Sequence, residues 1–403
     1  MYTFTGDNPS VLQVKSFFSV LEKGSEVKPR GKRIKELRPS TFEFQNPYRR
    51  FTFMRGRKVN PFFTLAESLW IISGRSDVQF LDAFNKNMKS FSDDGQFFNA
   101  SYGERLRAWG SNKLHEQLYN PVDQMYDAYY KLKEDPDTRQ AVMVLSNPHF
   151  DNARYTIGEK GRDISCNLVV TFKIRDGKLH MTVFNRSNDH CYGLFGANLC
   201  QFSTIMETMS AWLGLPCGTY THITDSLHLY LVDYGSKTYQ EIMDEHKAVH
   251  SDTKDADLEE AIYFETDQEP RMSLDYQGTN EFLSVFWGVP AAILVGENTK
   301  SILELAEFVP KITKDTYWQN AIYSMIVYRL VRLGNLQDAM KVLHDYVVPY
   351  SGKVSMLYFL KDRVYVSGVP EIIKSYEDDV AKIKTHLINS EGAGKSLEKY
   401  ILK

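Results

Sequence analysis

A hairpin signal in the second quarter of the chain constrains the fold more than any other feature of the sequence. Two strand-like runs, at residues 168–174 and 179–185, flank the turn sequence Arg175-Asp176-Gly177-Lys178. An Asp-Gly pair between two such runs is a strong signal for a tight antiparallel hairpin. The sequence therefore predicts a β-sheet that includes residues 168–185.

Helical and strand-like segments surround this hairpin. Apolar residues recur with helical spacing at 11–21, 62–72, 118–133 and 201–213, and Gly214 is a typical stop for the last of these. Further strands are expected at 40–44, at 141–145 as a buried strand, and at 219–231. From about residue 280 the signal is helical, in segments 302–309, 317–333, 336–347, 355–363 and 372–388.

Composition and charge exclude several classes of protein. Lys and Arg total 48 and Asp and Glu total 51, so the net charge is −3 and no nucleic-acid surface is expected. The four cysteines, at 166, 191, 200 and 217, lack zinc-site spacing, and we expect no metal. We find no secretory signal and no apolar run of about 18 residues, which predicts a cytoplasmic protein without membrane contact.

The best candidate for a reactive group is Cys166, at the start of the first hairpin strand. A lone cysteine there is commonly a small buried apolar residue. As a nucleophile it would need a nearby cation to favour the thiolate. Arg186 and Ser187 end the return strand, so a tight hairpin brings them close to Cys166, where they could also clamp a phosphate.

Other polar residues could read a nucleotide. Asn198 leads into the predicted helix at 201–213, where its amide suits uracil or could cap the helix. His228 and Tyr230 alternate on one strand face and could bind a sugar hydroxyl. Arg139 lies at the start of the predicted strand 141–145, where it could be a solvated loop charge.

Several motifs in a fixed order resemble the thymidylate synthase superfamily, over about residues 30–230. The most specific is the run 185–189, Asn-Arg-Ser-Asn-Asp, followed by Gly193 and by Asn198 before a long helix. The other matching motifs are Glu67-Ser68-Leu69-Trp70, Ser101-Tyr102-Gly103, Arg107-Ala108-Trp109, Asp135-Pro136-Asp137-Thr138-Arg139 and Ser226-Leu227-His228-Leu229-Tyr230.

The resemblance implies a chemistry and a role for each candidate residue. In this family a cysteine adds to C6 of dUMP, which activates C5 toward the one-carbon unit of the co-substrate 5,10-methylenetetrahydrofolate. Cys166 would be that nucleophile, and the other catalytic residues would be Glu67, Tyr102 and Asn198. The implied nucleotide-binding residues are Arg30, Arg139, Arg186, Ser187, Asn198, His228 and Tyr230. The implied folate-binding residues are Trp109, Asp189 and Gly193.

Departures from the synthase pattern indicate which product forms. Synthases have Pro-Cys-His at the nucleophile, where this chain has Ser165-Cys166-Asn167, and a shielding tryptophan that residues 87–92 lack. The spacing from Gly193 to Asn198 is one residue longer, Gln140 replaces a second arginine, and a helical extension replaces the short apolar C-terminus. These changes loosen the pocket above C5, which favours water over hydride as the completing reactant.

The sequence thus looks like the dUMP hydroxymethylase branch, which makes modified precursors of phage DNA. The expected product is 5-hydroxymethyl-dUMP, formed by a one-carbon transferase in the cytoplasm, that of the host if a phage encodes it. Three alternatives stay open: a thymidylate synthase, a dCMP or CMP hydroxymethylase, and an inactive scaffold. The cytosine-specific branch carries Asp at the position of Asn198, so Asn favours dUMP.

The resemblance also implies the architecture and the assembly. We expect an α/β (α+β) fold, with a large twisted mixed sheet flanked by helices. Residues 1–255 would form the thymidylate synthase-like catalytic domain and residues 256–403 a mainly helical C-terminal extension. In this family two sheets pack back to back in a homodimer, and Arg139 would reach the partner's nucleotide.

Overall fold

The structure is a computed structural model that describes residues 1–52, 54, 56–57, 59–110, 121–153, 163–231, 236–248, 269–348, 352–353, 355–356 and 359–360. Within these ranges the strands are β1 (Tyr2–Gly6), β2 (Ser25–Val27), β3 (Ile34–Leu37), β4 (Ser40–Phe44), β5 (Val142–Val144), β6 (Asn167–Arg175), β7 (Lys178–Asn185), β8 (Asn188–Asp189), β9 (Cys217–Thr224) and β10 (Leu227–Tyr230).

The α-helices of the same ranges are α1 (Pro9–Lys23), α2 (Pro61–Ile72), α3 (Val78–Asp82), α4 (Tyr102–Arg107), α5 (Gln124–Glu134), α6 (Leu199–Leu213), α7 (Ser236–Ala248), α8 (Tyr276–Phe286), α9 (Val289–Val295), α10 (Thr299–Ile312), α11 (Thr316–Arg332) and α12 (Leu336–Asp345). Two segments are π-helical, His149–Ala153 and His190–Asn198, and two are 3₁₀-helical, Pro29–Gly31 and Met88–Phe91.

The strands form two mixed sheets. The larger has the order β1-β4-β9-β7-β6-β5 and the smaller the order β2-β3-β10-β8. The predicted hairpin is confirmed as β6 and β7, which pair antiparallel. Asp176 and Gly177, with φ of 52° and 68°, adopt the left-handed backbone that a tight hairpin turn requires.

Helix α6 packs against one face of the larger sheet, α5 packs beside α6 on β5 and β6, and α2 packs on α6. Almost all of its side chains are buried, as the apolar spacing of 201–213 predicts, and it ends at Gly214 in a left-handed conformation (φ 66°). The opposite face of the larger sheet is open within the described ranges, since Val142, Val144 and Phe184 are each 39% exposed. The α/β (α+β) fold class is thereby confirmed.

Two strand predictions need correction. Residues 141–145 form no buried strand, because β5 lies at the sheet edge, pairs with β6 on one side, and exposes every second side chain. The single strand expected at 219–231 is two strands in different sheets, because the chain turns at Asp225 and Ser226 between β9 and β10.

The predicted helix at 118–133 begins later than expected. Residues 111–120 lie outside the described part of the chain, and α5 begins at Gln124 because the Asp123 side chain accepts the Tyr126 N–H at 3.0 Å as a helix cap. Of the two helices predicted beyond residue 350, the one at 372–388 also lies outside the described residues, and the one at 355–363 is described only in part.

The C-terminal helices share one hydrophobic core with the sheets and with α2 and α6. The Arg50 guanidinium pairs with the Glu207 carboxylate inside this core and lies 4.7 Å from the centre of the Tyr317 ring. Glu207 Oε1 also accepts the Met272 N–H at 2.9 Å. Helix α11 packs on α2, where Phe62 and Tyr328 have ring centres 5.4 Å apart.

No single helix of the described ranges is both long enough and apolar enough to cross a membrane. The pair α8 and α9, bent by 50°, meets those two requirements only when both helices are counted together.

Candidate active site

Cys166 and Arg186 meet at the open end of the β6–β7 hairpin. One Arg186 terminal nitrogen lies 3.5 Å from Cys166 Sγ, and the Arg186 Nε–H donates to the Ser165 carbonyl at 2.8 Å. The Arg186 backbone N–H donates to the Cys166 carbonyl at 2.9 Å, so the strand pairing itself sets this proximity. Cys166 is partly exposed, and the Arg186 guanidinium lies beside its sulfur.

A tyrosine and two asparagines line the base of this site. The Asn167 amide nitrogen donates to the Tyr102 hydroxyl at 2.8 Å, and the Asn185 amide nitrogen donates to Asn167 Oδ1 at 2.7 Å. Burial raises the pKa of Tyr102, and the negative charge of Cys166 in its thiolate form raises it further. Tyr102 is therefore a neutral phenol close to the candidate nucleophile.

A buried carboxyl group is linked to Asn198 through Gln201. The Asn198 amide nitrogen donates to Gln201 Oε1 at 2.9 Å, and the Gln201 side chain hydrogen-bonds Glu67 on α2. Burial raises the pKa of Glu67 to about 7, and the Gln201 hydrogen bond offsets part of that rise. Its Oε2 is buried without a hydrogen-bond partner among the described residues. A carboxyl group of this kind can exchange a proton near neutral pH.

The π-helix His190–Asn198 explains the long spacing from Gly193 to Asn198. A hydrogen bond in a π-helix joins residues five apart, whereas one in an α-helix joins residues four apart. A π-helical segment therefore accommodates one extra residue. Asp189 caps this segment, because its Oδ1 accepts the N–H groups of Cys191 and Tyr192 at 2.8 and 3.0 Å. Asn198 does not cap α6 with its side chain, which corrects the alternative reading of this residue.

Gly193 is required by a close approach to Asn188. A Cβ at position 193 would lie 2.3 Å from Asn188 Oδ1. The amide nitrogen of the same Asn188 side chain is 2.8 Å from His222 Nε2, which holds that side chain in place. His222 is fully buried, and burial lowers its pKa to about 3, so it is neutral in this network.

Replacing Gly193 by alanine should lower the free energy of unfolding by about 1–3 kcal/mol, because the new methyl group displaces the Asn188 amide. Urea denaturation followed by fluorescence would measure this. Gly288→Ala is the matched control, since its nearest contact would be an ordinary 3.4 Å to Val285 O. Equal stability of the two variants would contradict the packing argument.

The remaining nucleotide-site candidates converge on one edge of the smaller sheet. His228 and Tyr230 lie on the same face of β10, with ring centres 5.3 Å apart. His228 pairs in register with Asp189 on β8. Burial raises the pKa of Tyr230 and Asp189 raises it further, whereas the positive charge and hydrogen bond of Arg30 lower it. Arg30, Tyr230 and Asp189 are therefore neighbours.

Arg139 lies far from Cys166 of its own chain. Burial lowers the pKa of Lys173, and the charges of Arg175 and Arg139 lower it further, which places Arg139 near the turn end of β6. Seven residues separate Lys173 from Cys166, which at about 3.3 Å per residue is about 23 Å. An arginine side chain cannot cover that distance, so Arg139 is not brought into this site within one chain.

Trp109 and Ser187 complete the predicted set. Trp109 follows the C-terminal end of α4, the helix that Tyr102 begins. The Trp109 backbone pairs with Val122 through two hydrogen bonds of 2.9 Å. Ser187 adjoins Arg186, and its backbone N–H donates to Asn185 Oδ1 at 2.7 Å. No group of three or more His, Cys, Asp or Glu side chains in the described ranges could hold a metal ion.

Sequence reasoning missed three residues that the structure adds to the site: Asn167, Asn185 and Gln201. Two of them flank motif residues in the printed sequence, Asn167 after Cys166 and Asn185 before Arg186. Only the paired register of β6 and β7 shows that they face each other. The position of Gln201, three residues after Asn198 and hence on the same helical face, was an available signal.

The fold and the site define a class: a mixed sheet covered by a buried helix, with a partly exposed thiol beside a guanidinium group at the open end of a hairpin. The thymidylate synthase family model matches residues 14–285. The chain belongs to the thymidylate synthase family. Members of this family bind dUMP and use methylenetetrahydrofolate as co-substrate.

Comparison with individual proteins points to one branch of the family. The chain is 44% identical to a deoxyuridylate hydroxymethyltransferase of Bacillus phage SP01 over 392 residues, which cover 95% of this chain and 98% of that protein. It is 37% identical to a protein of the same name from Pseudomonas phage M6, over 48% of this chain and 51% of that protein. A putative thymidylate synthase of Methanosarcina barkeri is 33% identical over 38% of this chain and 63% of that protein.

Proposed function

We propose that this enzyme transfers a one-carbon unit from 5,10-methylenetetrahydrofolate to C5 of dUMP, and that water completes the reaction to give 5-hydroxymethyl-dUMP. The observation that carries the proposal is the 44% identity, over nearly the whole of both chains, to the phage SP01 deoxyuridylate hydroxymethyltransferase. The contact between Cys166 and Arg186 supports the proposal, because Cys166 would be the nucleophile that such a reaction requires. The enzyme would act in the cytoplasm, that of the host if a phage encodes it.

The nucleotide would bind between the open hairpin end and β10. Arg186, Ser187 and Arg30 would hold the 5′-phosphate, because guanidinium and hydroxyl groups bind phosphate oxygens well. His228 and Tyr230 would hold the sugar hydroxyl. These contacts are remote from the reacting carbon, so their binding energy can be used to orient the base over Cys166.

Asn198 supports uracil as the base. One N–H of its amide is already donated to Gln201, which leaves Asn198 Oδ1 available to accept the N3–H of uracil. Cytosine has an acceptor at N3, so the same oxygen would face a lone pair. The proposed substrate is therefore dUMP rather than dCMP.

The chain's own groups would provide the nucleophile and the proton transfers. The Cys166 thiolate would add to C6 and so make C5 nucleophilic, while Glu67 and Tyr102 would hold or move protons beside it. Folate supplies the carbon at the methylene oxidation level, and Trp109, Asp189 and Gly193 would line its site. The half-buried Asp189 carboxylate is held in place by two backbone N–H groups, which suits an acceptor for a folate ring N–H.

Product analysis tests this proposal directly. Incubation with dUMP and methylenetetrahydrofolate should give a nucleotide heavier by CH₂O, with release of tetrahydrofolate, as measured by mass spectrometry and folate absorbance. A gain of CH₂ with dihydrofolate would show a thymidylate synthase instead. Conversion of dCMP without conversion of dUMP would show that the role given to Asn198 is wrong.

We also propose a homodimer in which the open faces of the two larger sheets meet. That face carries the exposed side chains Val142, Val144 and Phe184, and Arg139 lies too far from Cys166 to serve its own site. Across the dimer, Arg139 would reach the partner's nucleotide phosphate. Residues 1–255 would carry the catalytic site, and residues 256–403 would support it from behind α2 and α6.

Mixing two inactive variants tests the shared site. Arg139→Ala and Cys166→Ala should each be nearly inactive alone, whereas random reassociation of equal amounts should restore about a quarter of the wild-type activity, since half of the dimers would be mixed and each mixed dimer would hold one intact site. Activity would be measured after denaturation and refolding together. No recovery, with both variants folded and dimeric, would refute the sharing of Arg139.

A further inference from the structure

A chain of three hydrogen bonds crosses the hairpin beneath Cys166. It runs from the Ser187 N–H to Asn185 Oδ1 (2.7 Å), from the Asn185 amide nitrogen to Asn167 Oδ1 (2.7 Å), and from the Asn167 amide nitrogen to the Tyr102 hydroxyl oxygen (2.8 Å). Asn167 and Asn185 are directly opposite in the register of β6 and β7, beside an irregularity between Asn167 and Val169. The strand pairing thus holds both amides in place.

The direction of this chain is set by its first member. A backbone N–H can only donate, so the Asn185 atom that faces Ser187 must be the oxygen, and its nitrogen must face Asn167. The same reasoning makes Asn167 present its oxygen to Asn185 and its nitrogen to Tyr102. The Tyr102 oxygen is therefore an acceptor in this contact, and the Asn167 backbone N–H, at 3.4 Å, is a second donor toward it.

Burial makes this direction persistent. Asn167 is 1% exposed and Asn185 is 4% exposed, so water cannot replace a lost partner. If one amide were turned over, two oxygens or two N–H groups would face each other in a buried site, which is strongly unfavourable. A phenol has one proton to donate, and Tyr102 cannot donate it to Asn167, because Asn167 presents an N–H group to the Tyr102 oxygen.

We propose that Asn185 and Asn167 are positioning residues, which together direct the hydroxyl proton of Tyr102 into the pocket beside Cys166. This rests on the proposed function, because a reaction completed by water needs a fixed hydrogen-bond donor where that water is held. Synthases carry histidine at the position of Asn167, so the directed amide pair is a property of this chain. Neither asparagine needs to touch the nucleotide to have this effect.

A double-mutant cycle separates this role from a general structural one. At pH 8, an ionised aspartate at position 167 can only accept hydrogen bonds, so Asn167→Asp should draw the Tyr102 proton out of the pocket and lower kcat on the order of 10²-fold. The dissociation constant of dUMP should change less than about threefold. In a Tyr102→Phe background there is no proton to redirect, so Asn167→Asp should cost at least about tenfold less there, and the remaining loss would reflect the negative charge added beside Cys166. Equal losses in the two backgrounds would overturn the proposal.

A second readout needs no substrate, so it stays valid even if dUMP is not the substrate. With tyrosine labelled at the ring carbon that bears oxygen, the Tyr102 resonance, assigned by its loss in Tyr102→Phe, should move downfield in Asn167→Asp as the phenol donates to a carboxylate. Asn185→Asp should cause the same move by turning the Asn167 amide over, and serves if Asn167→Asp fails to fold. Asn320→Asp, a buried amide in α11, is the control and should leave the Tyr102 resonance in place. An unmoved resonance in both folded site variants would overturn the proposal.

Discussion

Replacing Cys166 by serine should abolish turnover, with a loss in kcat of at least 10⁴-fold, on the order seen when other enzymes lose their nucleophile. A serine hydroxyl is far less ionised than a thiol, so Arg186 would stand beside a group that cannot add to C6. Binding of dUMP should persist, because the residues proposed to hold the nucleotide remain: Arg30, Arg186, His228 and Tyr230. Steady-state kinetics and calorimetric titration with dUMP would measure the two effects.

Cys217→Ser is the matched control for this experiment. Cys217 pairs with Leu179 near the turn of the β6–β7 hairpin, at the opposite end from Cys166, so the same exchange of sulfur for oxygen should leave kcat within about twofold. If Cys166→Ser kept more than a hundredth of the wild-type turnover, the covalent step through Cys166 would be wrong.

Glu67→Gln should lower kcat on the order of 10³-fold, because the amide cannot accept or deliver a proton. Since burial raises the pKa of Glu67 to about 7, the wild-type pH profile of kcat should bend near pH 7, and that bend should be absent in the variant. Glu304→Gln, at an exposed site on α10, makes the same charge change as a control and should keep the profile. If the bend near pH 7 is still present in Glu67→Gln, it arises from the titration of another group.

The same group makes stability depend on pH in a definite direction. Between its ordinary pKa of 4.5 and the raised value of about 7, Glu67 is protonated in the folded state and ionised in the unfolded state. The folded state then binds more protons, so this group's contribution to stability falls as pH rises through that window. Glu67→Gln should remove the fall, and the melting temperatures of the two proteins should diverge from pH 5 to pH 8 in favour of the variant.

The parts of the fold that sequence predicted well are those decided by neighbouring residues. The hairpin turn depends on Asp176 and Gly177 alone, and α6 depends on apolar spacing closed by Gly214. The proximity of Cys166 and Arg186 follows once the hairpin is assumed, because antiparallel pairing brings the start of one strand to the end of the other.

The parts that sequence could not predict depend on pairing between distant elements. The edge position of β5 and the division of 219–231 between two sheets follow from which strands are neighbours, and side-chain periodicity does not encode that choice. The contact of Glu67 with Gln201 joins α2 to α6, more than a hundred residues apart in the chain. The directed pair of Asn167 and Asn185 required the register of β6 and β7 to be known.

The shared core of the C-terminal helices bears on how such a gene can change by recombination. Arg329 donates to the Ala83 carbonyl at 3.0 Å, Trp287 donates to Ser73 Oγ at 2.6 Å, and Arg107 donates to Asn280 Oδ1 at 2.8 Å, so each contact joins an early helical region to a late one. A recombination crossover near residue 255 between diverged relatives would combine contact partners from two different parent sequences, which need not fit each other. The two halves of the chain are therefore expected to be inherited and to diverge together, and not to be exchanged as independent modules.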